Sequence, residues 1–227
     1  MLTLLTATGA RPHAWAICER LMRAQDYDGS VRWVIVDDGP EPQPVTFQRE
    51  GWTLEIVRPQ PYWKPGQNTQ ARNLAAGLAV IPDDARVVVI EDDDWYSPEW
   101  LGAVAIAMLI SDADLIGESH ARYYHVGRRV WRDCGNAEHA SLCSTAVRGE
   151  ALRLLRQIVQ RHPKFIDIEL WRQFDGLSRL YRTQHCVGIK GLPGRGGIGV
   201  GHRMHGTPDP TGRTLRSWIG DDAALYL

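Results

Sequence analysis

Four consecutive carboxylates, Glu91-Asp92-Asp93-Asp94, close a continuous β-branched run at Arg86–Ile90. Neighbouring carboxylates repel by roughly 1 kcal/mol at 4 Å even in bulk water, and several-fold more against a protein surface. Something positive must offset them, and a hard divalent cation with oxygen ligands is the economical partner. The strand period of two sends Asp92 and Asp94 to one side and Glu91 and Asp93 to the other. Two carboxylates on one side make half a site for Mg²⁺ or Mn²⁺, to be completed by phosphate oxygens and a further protein ligand. A solvated turn capping the helix at Ser97 is the competing reading. Two more polar clusters, Thr8-Gly9-Ala10-Arg11 and Asp37-Asp38-Gly39, also follow strand-like runs.

The elements that must position these clusters alternate along the first half of the chain. Leu2–Ala7, Val31–Val36, Trp52–Val57 and Arg86–Ile90 read as strands. His13–Ala24, Gln70–Val80 and the stretch from Ser97 to Ile110 read as helices. The β-branched run before Glu91 is the mark of a strand buried on both faces. Such alternation implies a mostly parallel sheet with helices on both sides, an α/β fold. In an open parallel sheet ligands sit outside the carboxyl ends of the strands, where all three polar clusters fall. The second half is less regular. Asp114–Gly117, Ala121–Val126 and Leu142–Val147 are strand-like, Gly149–Gln160 and Asp167–Phe174 helical, and Gly188 to Gly212 a long Gly/Pro-rich loop.

With 227 residues and no linker, the chain reads as one domain, 1–227. A net charge of −1 gives the chain as a whole no polyanion-binding character. The longest apolar run, Leu101 to Ile110, is half of a bilayer crossing, so no membrane span is expected. No basic n-region precedes Leu2, so no secretory signal is read and a cytoplasmic location is expected. Cys18, Cys134, Cys143 and Cys186 lie far apart without a CxxC pair, which argues against a zinc knuckle or a disulfide framework. Lysine is confined to Lys64, Lys164 and Lys190, so arginine carries most of the positive charge. Coding bias explains this, although arginine also suits phosphate recognition.

Four motifs in order make the chain resemble a family 2-type glycosyltransferase of the GT-A fold. They are the Thr/Arg loop of Leu4-Leu5-Thr6-Ala7-Thr8-Gly9-Ala10-Arg11-Pro12, the strand and turn of Trp33-Val34-Ile35-Val36-Asp37-Asp38-Gly39, the helix start Ala71-Arg72-Asn73, and Asp92-Asp93-Asp94 in the place of an Asp-x-Asp metal motif. The resemblance covers residues 1 to about 118, the nucleotide-sugar half, and fits 119–227, the acceptor half, loosely. It implies transfer of a hexose-like sugar from a nucleotide-diphosphate donor, UDP-linked, to a hydroxyl acceptor, with inversion. Thr8 and Arg11 would contact the nucleotide, and Asp37 or Asp38 the base or ribose. Arg72 would hold diphosphate or orient the acids; pairing with Asp38 in the scaffold is its alternative. Asp92 would approach ribose or sugar, with Asp93 and Trp95 lining the donor site. Asp94 would ligate Mn²⁺ or Mg²⁺, which assists departure of the diphosphate.

The same resemblance implies an aspartate base at the start of a helix in the second half. Phe165-Ile166-Asp167-Ile168-Glu169 fits best, with Asp167 the base and Glu169 second, although an isoleucine separates two acids that are adjacent in the family pattern. Helix capping is the competing role for Asp167. A histidine from the C-terminal part often joins the metal in such enzymes, and His202 is preferred to His205. Gly191-Leu192-Pro193-Gly194-Arg195-Gly196-Gly197 has the glycines of a mobile lid. The acceptor is a saccharide, a small molecule or a modified nucleic acid. A phage-type enzyme acting on hydroxymethylated DNA bases is one alternative, for which Arg122, Arg128, Arg129 and Arg132 could contact phosphates. A nucleotidyltransferase and a non-catalytic nucleotide-sugar-binding module are the others.

Overall fold

The computed structural model describes residues 1–196 and 203–227. A seven-stranded sheet forms its centre, in the order β10-β6-β9-β4-β1-β2-β3. β1 (Leu2–Thr8) lies between β2 (Val31–Asp37) and β4 (Val87–Val89), parallel to both, and β3 (Trp52–Val57) extends the parallel set. β1 is buried almost throughout and so carries an unbroken Leu/Thr run, as a strand covered on both faces must. β9 (Thr145–Val147) inserts antiparallel between β4 and β6 (Leu115–Glu118), and β10 (Ser178–Tyr181) pairs parallel with β6 at the edge.

Helices cover both faces. α1 (Pro12–Arg23) and α3 (Trp100–Ile110) pack on one side over a core that includes Trp15, Trp33 and Leu101. α2 (Gln70–Leu78), α4 (Gly149–Arg161) and α5 (Ile166–Gln173) cover the other, over Leu5, Val34, Leu155 and Leu170. Gly77 lets α2 lie close on the sheet, because a Cβ there would stand 2.4 Å from Leu5 Cδ1. No helix among the described residues is long and apolar enough to cross a membrane.

A second, five-stranded sheet, β12-β8-β7-β11-β5, adjoins the carboxyl edge of the first. It comprises β5 (Trp95–Tyr96), β7 (Arg122–His125), β8 (Val130–Asp133), β11 (Cys186–Lys190) and β12 (Thr207–Pro208), followed by α6 (Arg213–Ile219). Here the expectations need correcting. The loop expected from Gly188 begins inside β11, whose five residues are all buried. Strands of two to four residues, such as β5, β8 and β10, are too short to show a period of two, and Gly188 interrupts the pattern of β11, which is why these four escape a sequence reading. Leu142–Val147 is a strand only from Thr145, its first three residues forming a 3₁₀ turn.

Candidate active site at the carboxyl edge of the central sheet

The three polar clusters meet where β1, β2 and β4 end, as the topology requires. Thr8 Oγ1 donates to Asp92 Oδ2 at 2.7 Å, and Arg11 bridges Asp92 and Asp93, its Nη2 reaching Asp93 Oδ2 at 2.7 Å. Gly9 permits the approach of the first two loops. At φ +128° its missing Cβ would lie 2.4 Å from the Gly39 amide nitrogen and 2.5 Å from Asp38 Oδ1.

The four acids do not alternate as a strand. β4 stops at Val89, and Asp94 turns back to donate its amide to the Glu91 carbonyl at 3.3 Å. Asp92 and Asp93 therefore share Arg11, whereas Asp94 Oδ1 accepts from the Ile189 amide at 2.7 Å and Lys190 Nζ at 3.0 Å. Glu91 accepts from Gln70 Nε2 at 2.6 Å. Two resident cations, Arg11 and Lys190, thus supply part of the counter-charge that the sequence assigned to a metal.

Electrostatics follow from this burial. Burial raises the Asp92 carboxyl to about 6 against the opposing pull of Arg11. Burial also drives Glu91 well above the carboxylate range, with Lys190 opposing and Asp94, Asp93 and Asp167 adding to it. Burial works against the charge on Lys190, yet Asp93, Asp94 and Glu91 outweigh it and keep the ammonium protonated. The same competition holds for Arg11, where Asp92 and Asp93 prevail.

Glu91, Asp94 and Cys143 each offer one ligand atom, all within 4.8 Å of one another. Asp94 Oδ2 is buried and has no hydrogen-bond partner. An orphaned carboxylate oxygen beside a second carboxylate fits a hard divalent ion. The Cys143 sulfur is a poor ligand for Mg²⁺ and is better tolerated by Mn²⁺. His202 lies outside the described residues.

Asp37 and Asp38 divide their work. Asp37 builds the turn, accepting the Gly39 amide at 2.9 Å and the Gln43 amide at 2.7 Å. Asp38 is fully buried and accepts from Thr69 Oγ1, Arg72 Nη2 at 3.2 Å and both terminal nitrogens of Arg195. Although burial opposes its charge, hydrogen bonds from Arg195, Thr69 and Asn73 hold its pKa below the ordinary aspartate value. Arg195 also donates to the Gly9 carbonyl at 2.8 Å and Thr69 Oγ1 at 2.7 Å, and its guanidinium lies 4.4 Å over the Trp63 ring. Arg72 takes the scaffold pairing with Asp38, and its Nη1 donates to the Pro61 carbonyl at 2.7 Å.

Asp167 sits in the first turn of α5, behind Phe165 in a left-handed conformation. Burial raises its carboxyl, with the Ile168 amide and His139 opposing, and its field reaches Glu91 and Tyr123. Glu169 pairs with Arg172 and accepts from Gln173 Nε2 at 2.7 Å on the outer side of the helix. The structure does not bring Glu169 to the acids. Trp95 is absent from the site as well: it is buried in β5, and its indole donates to Asp222 at 2.9 Å. Sequence reasoning missed Lys190, Thr69 and the ties of Arg195. Lys190 carried a signal, since a rare lysine ending the run Cys186-Val187-Gly188-Ile189 has to find an acid when buried.

No protein-family model matches the chain, and no curated protein is similar to it in sequence. Solved structures are similar in fold. The S. aureus TarS fragment 1–349 in complex with UDP superposes with a TM-score of 0.58 at 10% identity, over 83% of this chain and 60% of that one. The same fragment in complex with UDP-GlcNAc gives 0.54 at 10% identity, over 84% and 59%. The glycosyltransferase GlyE of Streptococcus pneumoniae TIGR4 gives 0.51 at 8% identity, over 81% and 45%. The chain spans about three fifths of the TarS fragment's length, and what it shares with these proteins is a GT-A-like glycosyltransferase fold.

Proposed function

We propose that the chain transfers a sugar from a UDP-linked donor to a hydroxyl acceptor, with inversion at the anomeric carbon. The observation that carries this reading is the meeting of an ionised, fully buried acceptor group, Asp38, with an acid cluster and three cations at one sheet edge of a GT-A-like fold. Similarity to TarS structures holding UDP and UDP-GlcNAc supports the choice of donor.

In this reading the nucleobase presents an N–H to Asp38 and stacks on Trp63, taking the place that Arg195 holds in the free chain. Thr8 and Arg11 face the donor from the first loop, and Arg72 keeps Asp38 oriented. Asp94 and Glu91, with Cys143, would hold Mn²⁺ in preference to Mg²⁺, and His202 remains a proposed further ligand. When bound, that ion supplies Lewis-acid stabilisation of the departing diphosphate. Asp167 accepts the acceptor's hydroxyl proton as that oxygen bonds to the anomeric carbon and the diphosphate leaves with the electron pair of the broken C–O bond. Its elevated pKa, set by burial, makes it a stronger base than a surface aspartate.

The test is product formation from a panel of UDP-sugars with Mn²⁺. Release of UDP by the wild-type chain, lost in Asp94→Ala, is expected. UDP binding without turnover of any sugar nucleotide would favour the binding-module reading.

A further inference from the structure

The two oxygens of Asp94 are unequally used. Oδ1 accepts from the Ile189 amide at 2.7 Å and from Lys190 Nζ at 3.0 Å, while Oδ2 is buried without a hydrogen-bond partner. Glu91 and Cys143 offer ligand atoms within 4.8 Å, so a divalent ion and the Lys190 ammonium would draw on the same carboxylate. Two cations on one fully buried carboxylate repel each other strongly, because little solvent screens them. They compete.

The resident cations differ in how readily they can leave. Arg11 is forked across Asp92 and Asp93, a two-point attachment that suits a rigid, planar guanidinium. Lys190 instead carries a compact ammonium on a flexible stem. If that ammonium withdraws, the Ile189 amide still holds Asp94 Oδ1 in place. The backbone of Lys190 is fixed in β11, where its carbonyl accepts the Val126 amide at 2.8 Å, so the side chain alone has to move. Its Nζ already lies 5.8 Å from the centroid of the Tyr123 ring, whose hydroxyl is tied to Ser141 Oγ at 2.6 Å. The ring face keeps a released ammonium beside the site.

From these contacts we infer that Lys190 is a diphosphate ligand held in reserve. It rests on Asp94 in the free chain, yields that carboxylate to the divalent ion, and turns to the anionic diphosphate of the donor. A diphosphate arriving with the ion gives the displaced ammonium a new partner, so metal and donor favour each other's binding through Lys190. The inference rests on the sugar-nucleotide reading and adds a donor-binding residue to it.

The experiment titrates the full chain with Mn²⁺ alone, and with UDP at saturating Mn²⁺. Lys190→Gln should bind Mn²⁺ alone at least about tenfold more tightly than the wild type, a factor ordinary for coupled ligands. At saturating Mn²⁺ the same variant should bind UDP at least about tenfold more weakly. A purely structural role for Lys190 would not move the two affinities in opposite directions. Lys164→Gln removes the same charge from an exposed position and should leave both affinities unchanged. Equal or weaker Mn²⁺ binding by Lys190→Gln, unchanged UDP affinity, or the same response from Lys164→Gln would overturn the inference. If Lys190→Gln is unfolded without metal, return of its circular dichroism on adding Mn²⁺ supports the exchange, and failure to return overturns it. Binding of Mn²⁺ but not of UDP by the wild type would sink the donor reading and this inference with it, whereas the other outcomes overturn the inference alone.

Discussion

Arg195 donates through both terminal nitrogens to the two carboxylate oxygens of Asp38, and its guanidinium covers the ring of Trp63. A planar group that stacks on an indole and gives N–H donors to a carboxylate offers what the edge of uracil or guanine offers. Adenine and cytosine lack a ring N–H on that edge and do not meet the demand of an ionised Asp38.

Arg195→Ala therefore removes a competitor for the base. A hydrogen bond to a charged group is worth about 1.5–3 kcal/mol, so uridine should bind on the order of tenfold more tightly to the variant by titration calorimetry. Weaker binding would make Arg195 a ligand of the nucleotide instead of its stand-in.

The buried pair of Lys190 and Asp94 also governs stability. Lys190→Met strands Asp94 and Glu91 without their cation, and breaking one partner of a buried pair costs about 3–5 kcal/mol. Urea denaturation should show a loss of that size, and Lys190→Met combined with Asp94→Asn should recover part of it. Equal stability of the two variants would show that Asp94 is not the group Lys190 neutralises.

Asp92 gives stability a pH signature. Its carboxyl, raised to about 6 in the folded chain, binds more protons there than in the unfolded chain, where a carboxyl titrates near its ordinary value. Stability from this group is therefore fully present below about pH 4 and lost as pH rises through about 6, by up to roughly 2–3 kcal/mol. The stability of wild type should fall relative to that of Asp92→Asn as pH rises from about 4 to about 7, the two chains lying together at about pH 4 and apart at about pH 7. A constant difference between them would contradict the shift.

Asp167→Asn should lower kcat by at least about 10²-fold, the usual scale for a general base, with UDP affinity retained and the acidic limb of the rate profile removed. Glu169→Gln, on the outer side of the same helix, should leave transfer unchanged. The two variants together separate a proton acceptor from a helix cap.

Much of this arrangement was legible before the structure. Strands covered on both faces announce themselves as apolar runs, so β1, β2 and β4 and their polar endings could be read directly, and the topology then brings Thr8, Asp38 and Asp92 together. Side-chain direction was legible only while the strand lasted. Beyond Val89 the chain turns, and the alternation that grouped Asp92 with Asp94 no longer applies. Trp95 stands next to the acids in sequence yet points inward, because β5 hands it to the C-terminal segment through Asp222. The roles of Lys190 and Arg195 depend on contacts spanning 96 and 157 residues, and no local pattern encodes those.

The central claim is that Asp38 and the acid cluster form one nucleotide-sugar site. Titration of UDP into the wild-type chain and into Asp38→Asn, each with Mn²⁺, tests it most directly. Saturable one-to-one binding by the wild type, weakened at least tenfold in the variant at a temperature where circular dichroism shows both chains folded, is the expected result. No heat of binding from the wild type, or equal affinity in the two chains, would contradict the account.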